Sequence, residues 1–117
     1  MKKDPKINLA FILECIELIE KYLKDIKEDQ FLNSTQLQDA IIRRIELIGE
    51  AIKNISLEVK DKHPEIHWGR ITGMRNILIH DYLGIDLKTT WQVATREIPE
   101  LKNKILEIEK ELERENT

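Results

Sequence analysis

The sequence predicts an all-α fold: one domain over residues 1–117, an antiparallel bundle of four to five helices that pairs as a dimer. Three observations predict it. The 117 residues are 41% hydrophobic and 35% charged but only 5% aromatic, with 4 Gly and 3 Pro, a mixture that favours helices with one wet face over sheets. Apolar residues recur every three or four positions through most of the chain. The interruptions between these stretches are short, so successive helices fold back on one another. A chain this short buries a smaller share of its surface than a long one, and dimerisation relieves that limit.

The first helix is expected from Lys6 to about Glu28, with Ile12, Ile16, Ile19, Leu23 and Ile26 on one face. Leu9, Leu13 and Tyr22 widen the stripe enough to face more than one neighbour. Asp29 to Ser34 reads as a connection. Thr35 is then placed to cap a second helix, with Gln38 as its capping-box partner. That helix should run from Gln36 to Ile55 on Leu37, Ile41, Ile45, Ile48 and Ile52. Gly49 costs it about 1 kcal/mol of helix propensity, which points to a packing reason. Ser56 caps a short extra turn that ends near His63-Pro64.

Pro64 to Gly69 is a turn leading into a third helix from Trp68 to Tyr82. Gly84 stops it, and Asp86 caps a fourth helix through Leu87, Trp91 and Ala94. Pro99 should bend or split that helix, because proline lacks an amide proton and clashes with the preceding turn. Leu101, Ile105, Ile108 and Leu112 carry the last stripe, and the charged tail from Glu109 to Thr117 is expected to fray.

Charge and cysteine usage narrow the function. The formal net charge is −3, so this is not a generally basic nucleic-acid binder, and any RNA contact must come from local Arg and Lys. Arg43, Arg44, Arg70 and Arg96 are the candidates. The single Cys15 excludes an internal disulfide and lies among Phe11, Ile12, Ile16 and Ile19, as a small core residue would. No apolar run reaches the ~18–20 residues of a membrane span, and the N-terminus does not have the pattern of a signal peptide. The expected compartment is the cytoplasm.

Chemistry concentrates in Arg75-Asn76-Ile77-Leu78-Ile79-His80-Asp81-Tyr82, which places a guanidinium, an amide, an imidazole and a phenol in eight residues. RNA is cleaved without a metal when a base takes the 2′-hydroxyl proton, a cation stabilises the pentacoordinate phosphate, and an acid protonates the leaving 5′ oxygen. Histidine suits both proton steps, and arginine binds two phosphate oxygens with one fork of donors. Asn76 and His80 share a helix face. Arg75 and His80 lie about 140° apart around a regular helix. They meet if the Arg wraps around, if the helix end distorts, or if a symmetric dimer brings two copies of each into one groove, the arrangement favoured here.

Arg, four residues, His, one residue, Tyr resembles the signature of the HEPN superfamily, and more closely its HepT-like branch of small helical ribonuclease toxins. The order of further matches strengthens the resemblance: Ile48-Gly49-Glu50-Ala51, Pro64-Glu65-Ile66-His67-Trp68, Gly73-Met74-Arg75-Asn76, His80-Asp81-Tyr82, Gly84-Ile85-Asp86 and Trp91. His67 and Gly69 depart from the branch's lead-in. The resemblance implies that Arg75 and His80 are the catalytic pair of a metal-independent endoribonuclease, with Asn76 beside them. It implies a toxin acting on cellular RNA, tRNA being one candidate. It also implies a nucleotidyltransferase (MNT-type) antitoxin that adds AMP to Tyr82. ATP and Mg²⁺ would then be used by that partner, and this chain would need no cofactor.

Other readings of the same residues stand beside these. His80 can be a buried helix-end histidine and Arg75 half of an ion pair. Glu50 can orient an Arg or His of the third helix, or be a solvated or capping carboxylate. His63 and His67 are four apart, as metal ligands on a helix would be, but Pro64 lies between them and no third ligand is near. Trp68 and Trp91 are core or interface anchors, or base-stacking platforms. The same groove could hold RNA, a nucleotide or the nucleotidyltransferase without cutting.

Overall fold

The computed structural model describes residues 4–73 and 86–115. These residues are helices and connections, with no strand among them, as the all-α reading expects. Among them no helix is long and apolar enough to cross a membrane.

Helix α1 spans Pro5–Leu23. The Asp4 carboxylate accepts from the Lys6 amide at 2.9 Å, and Pro5 sits at the first helical position, where no amide donor is needed. The helix stops five residues short of the expected Glu28. Lys24 leaves the helical conformation (ψ 125°), and Asp25 follows with a left-handed backbone (φ 60°), which aspartate tolerates better than most residues.

The expected connection at Asp29–Ser34 instead contains a short helix, α2 (Glu28–Leu32). The Lys27 amide donates to Oε1 of Gln30 at 2.8 Å and closes its first turn. Phe31 is fully buried and lies 5.5 Å from the Trp91 ring at a 41° tilt, a geometry that aromatic pairs prefer over face-to-face stacking.

Helix α3 spans Thr35–Lys53. Its cap is Ser34, one residue before the expected Thr35: the Ser34 hydroxyl accepts from the Leu37 amide at 3.2 Å. Gln38 therefore does not close a box with Thr35. Its amide donates to the carbonyls of Phe31 and Leu32 at 3.0 and 3.1 Å and ties α2 to α3.

Ser56 caps α4 (Leu57–Lys62) as expected, accepting from the Val59 amide at 3.3 Å. Residues 68–73 are helical and are called α5. Trp68 anchors its start by donating its indole N–H to the His63 carbonyl at 3.1 Å. The remainder of the expected third helix, and its stop at Gly84, lie outside the described residues.

After the Asp86 cap, α6 (Leu87–Gln92), a π-helical turn (Val93–Glu97) and α7 (Ile98–Glu115) follow without a break. The expected split at Pro99 is absent. The wider turn lies directly before the proline, where the Ile98 amide reaches back to the Val93 carbonyl. The turn whose carbonyl a proline would crowd is thus loosened, and the helix continues. The tail does not fray through Glu115: Lys62 pairs with Glu115 at 3.5 Å.

The helices run antiparallel. Asn8 at the start of α1 donates to the Asn54 carbonyl just past α3, at 3.4 Å. Glu20 near the end of α1 pairs with Lys102 near the start of α7, at 2.7 Å. Between them lies one cluster in which Leu9, Ile12, Ile16 and Ile19 meet Ile41, Ile45, Ile48 and Ile52 of α3 and Ile98, Leu101, Ile105 and Ile108 of α7. Each full burial of such a side chain contributes about 1.5–3 kcal/mol. Cys15 belongs to this cluster as expected. Burial pushes its thiol pKa up, and the nearby Arg44 guanidinium opposes that only in part.

Candidate active site

Arg75, Asn76, His80 and Tyr82 lie outside the described residues, whereas the scaffold that leads to them is described. That scaffold begins with Gly49. A Cβ built on this buried residue would lie 3.8 Å from the carbonyl oxygens of Ile71 and Thr72. The backbone of α5 therefore crosses directly over α3 here, which is the packing reason the sequence suggested. The space is ordinary van der Waals contact, so the site would also admit alanine.

Glu50 follows Gly49 at this crossing. Its carboxylate is about half exposed and lies 3.8 Å from the Lys53 ammonium one turn on. It is also tied into interactions beyond that pair. Its carbonyl accepts from the Asn54 side chain at 3.2 Å.

The lead-in to α5 is held by a histidine. His63 is buried at the end of α4, with Nε2 at 2.9 Å from Glu111 of α7 and Nδ1 at 3.3 Å from Glu65. A neutral imidazole has one N–H and serves one of these carboxylates; the imidazolium serves both. The Glu65 carboxyl is held below its usual pKa by a hydrogen bond to its own backbone, then by His63. His67 is exposed and stands apart from this contact. Among the described residues no group of three His, Cys, Asp or Glu side chains is arranged to hold a metal.

The sequence did not reveal Glu111. It sits in the charged tail expected to fray, and its partner lies at the end of α4. Two of the four candidate arginines pair with carboxylates, one within its own helix and one across the fold. Arg43 pairs with Glu46 at 3.5 Å, and Arg70 pairs with Glu97. Arg44 of α3 lies close enough to Cys15 and Tyr22 of α1 for both to raise its pKa. Arg96 is exposed. Trp68 and Trp91 both pack against the core, the anchor role rather than that of open stacking platforms.

A small antiparallel helical bundle that holds the segment before an Arg-x4-His-x-Tyr motif against α3 at Gly49 defines the class. The chain belongs to the HepT-like ribonuclease family, whose description, "Ribonuclease HepT-like", matches residues 12–108. Three relatives illustrate the similarity. The chain is 54% identical over 114 residues to "Gamma-glutamylcyclotransferase and putative RNase MJ0434" of Methanocaldococcus jannaschii, covering 97% of this chain and 51% of that protein. It thus spans about half the length of that relative. It is 40% identical over 112 residues to "Putative RNase MJ0125" of the same organism, covering 96% of this chain and 97% of that one. It is 43% identical over 110 residues to "Probable ribonuclease HepT" of Thermococcus cleftensis, covering 94% of this chain and 100% of that one. No solved structure matches the chain.

Proposed function

We propose that this protein is an endoribonuclease that cuts RNA without a metal, with Arg75 and His80 as the catalytic pair. The observation that carries this reading is a family match over residues 12–108 that encloses the whole ordered motif from Arg75 to Tyr82. In this mechanism a His80 imidazole takes the proton of the 2′-hydroxyl. The freed oxygen attacks the adjacent phosphorus, so a bond from phosphorus to the 2′ oxygen forms and the bond to the 5′ oxygen breaks. Arg75 binds the charge that builds on the phosphate oxygens. A protonated imidazole returns a proton to the leaving oxygen, and the products are a 2′,3′-cyclic phosphate and a 5′-hydroxyl. A homodimer supplies the second His80, so that one ring accepts a proton while the other donates. Asn76 hydrogen-bonds beside His80. Glu50, at the crossing of α3 and α5, orients a cation of the same site.

In this reading the protein is a cytoplasmic toxin paired with a nucleotidyltransferase antitoxin. The partner uses ATP and Mg²⁺ to place AMP on Tyr82, where an anionic adduct blocks and repels RNA. The test is cleavage of labelled RNA in EDTA by the wild type and by His80→Ala. Wild-type cleavage should fall by about 10²–10⁴-fold in the variant. Equal cleavage by the two proteins removes His80 from the mechanism.

Binding without cleavage is the second reading. The net charge of −3 and the pairing of Arg43 and Arg70 with carboxylates favour it. There, Arg75→Ala weakens RNA binding while the wild type leaves RNA intact.

A further inference from the structure

A groove of about 290 Å³ lies between the lead-in at Glu65–His67, the first turns of α5, and the start of α7. Its floor is apolar. Ile66 and Leu101 are each only 4% exposed, and Ile71 completes it. Its rim carries three carboxylates, Glu65, Glu97 and Glu100, against two cations, Arg70 and Lys104. Arg70 is engaged by Glu97. Lys104 lies near enough to Glu65 to help hold its carboxyl ionised. Glu100 is exposed at the groove edge, and among the described residues no cation pairs with it.

This pattern selects against a phosphate-bearing ligand, which would bring negative charge to a rim with an excess of carboxylates. It suits a cation carried on an aliphatic stem. The stem would lie along Ile66, Ile71 and Leu101 while the head reaches Glu100. We infer that this groove docks a segment of a partner protein, anchored by one Lys or Arg side chain that pairs with Glu100 over the Ile66–Ile71–Leu101 floor. Because Arg70 and Ile71 line this groove, a docked segment rests on the stretch of chain that runs into Arg75. The inference is independent of RNA cleavage, since the groove takes a cation whether or not His80 is catalytic.

The test uses the full chain, isotopically labelled, titrated with the peptide acetyl-Leu-Arg-Leu-amide and followed by NMR. The same peptide with citrulline keeps the shape of arginine without its charge, and AMP serves as the phosphate probe. The arginine peptide should shift the resonances of Ile66, Ile71 and Leu101. Its affinity should fall about tenfold with citrulline or in Glu100→Gln, the loss expected for one charge-assisted hydrogen bond. Glu100→Lys should abolish the response, and since the residue is exposed the fold is retained, as circular dichroism would record. Equal binding of the citrulline peptide, an unchanged response in Glu100→Gln, or stronger shifts of the same residues by AMP would each overturn the proposal. None of these results would alter the outcome of the His80 cleavage test.

Discussion

Nε2 of His63 lies 2.9 Å from Oε2 of Glu111, which joins the end of α4 to the last turns of α7. The imidazole is buried and Glu111 is half exposed, so the bond is sheltered on one side only. Through its carbonyl the same histidine receives the Trp68 indole N–H. One residue thus fixes where α4 ends and where α5 begins.

Removing either side of this contact leaves a buried polar group with fewer partners. His63→Ala should cost about 1–3 kcal/mol of unfolding free energy, and Glu111→Gln about 1 kcal/mol. Urea denaturation of both variants and the double mutant measures it. Strict additivity of the two losses would show that the residues do not interact.

Gly49 offers a test of how closely α3 and α5 approach. Gly49→Ala should be neutral or stabilising by up to about 1 kcal/mol, because the new methyl makes ordinary contacts and the helix gains propensity. Gly49→Leu should cost about 1–3 kcal/mol by forcing α5 outward. Thermal unfolding reads both, and a stable leucine variant would mean that the crossing is loose.

Asp86 carries an acid-sensitive cap. The Thr89 hydroxyl and then the Thr89 amide hold its carboxyl below the usual range, at 2.6 and 3.1 Å. A depressed folded-state value means that this contribution is present above the unfolded-state value and is lost as pH falls through the folded-state one. Asp86→Asn keeps a capping oxygen but has nothing to protonate. Its acid unfolding profile should be flatter than that of the wild type. Superimposable profiles would show that the cap does not contribute to pH-dependent stability.

Tyr82 is the proposed point of control. Incubation with a nucleotidyltransferase partner, ATP and Mg²⁺ should add AMP to the chain, and Tyr82→Phe should abolish the added mass. Intact-protein mass spectrometry decides this; an adduct that persists in Tyr82→Phe places the modification elsewhere.

The long helices were legible because their apolar residues repeat. Ile41, Ile45, Ile48 and Ile52 are buried, as their spacing implies. The short α2 was not legible, since five residues are too few to show a period, and Phe31 reveals its role only through Trp91. The α3 cap was misplaced by one position because Ser34 and Thr35 are adjacent and either hydroxyl can serve. Glu111 was hidden for another reason: a carboxylate on an outer helix face looks solvated until a residue of another helix is found against it. Of the candidate site, the motif and the expectation that Gly49 serves packing were legible in the sequence, while the α5 backbone it packs against was not. The groove beside α5 could not be read there, because its walls come from segments joined only by folding.

The π-helical turn at Val93–Glu97 has a further consequence. Such a turn holds one residue more than an α-helix needs for the same rise. Every position beyond it is therefore rotated by about 100° relative to an uninterrupted helix. Leu101, Ile105 and Ile108 reach the interior only with that phase offset in place. A single-residue deletion between Trp91 and Pro99 would dial the inward stripe toward water with its composition nearly intact. In this stretch, the number of residues is as strictly constrained as their identity.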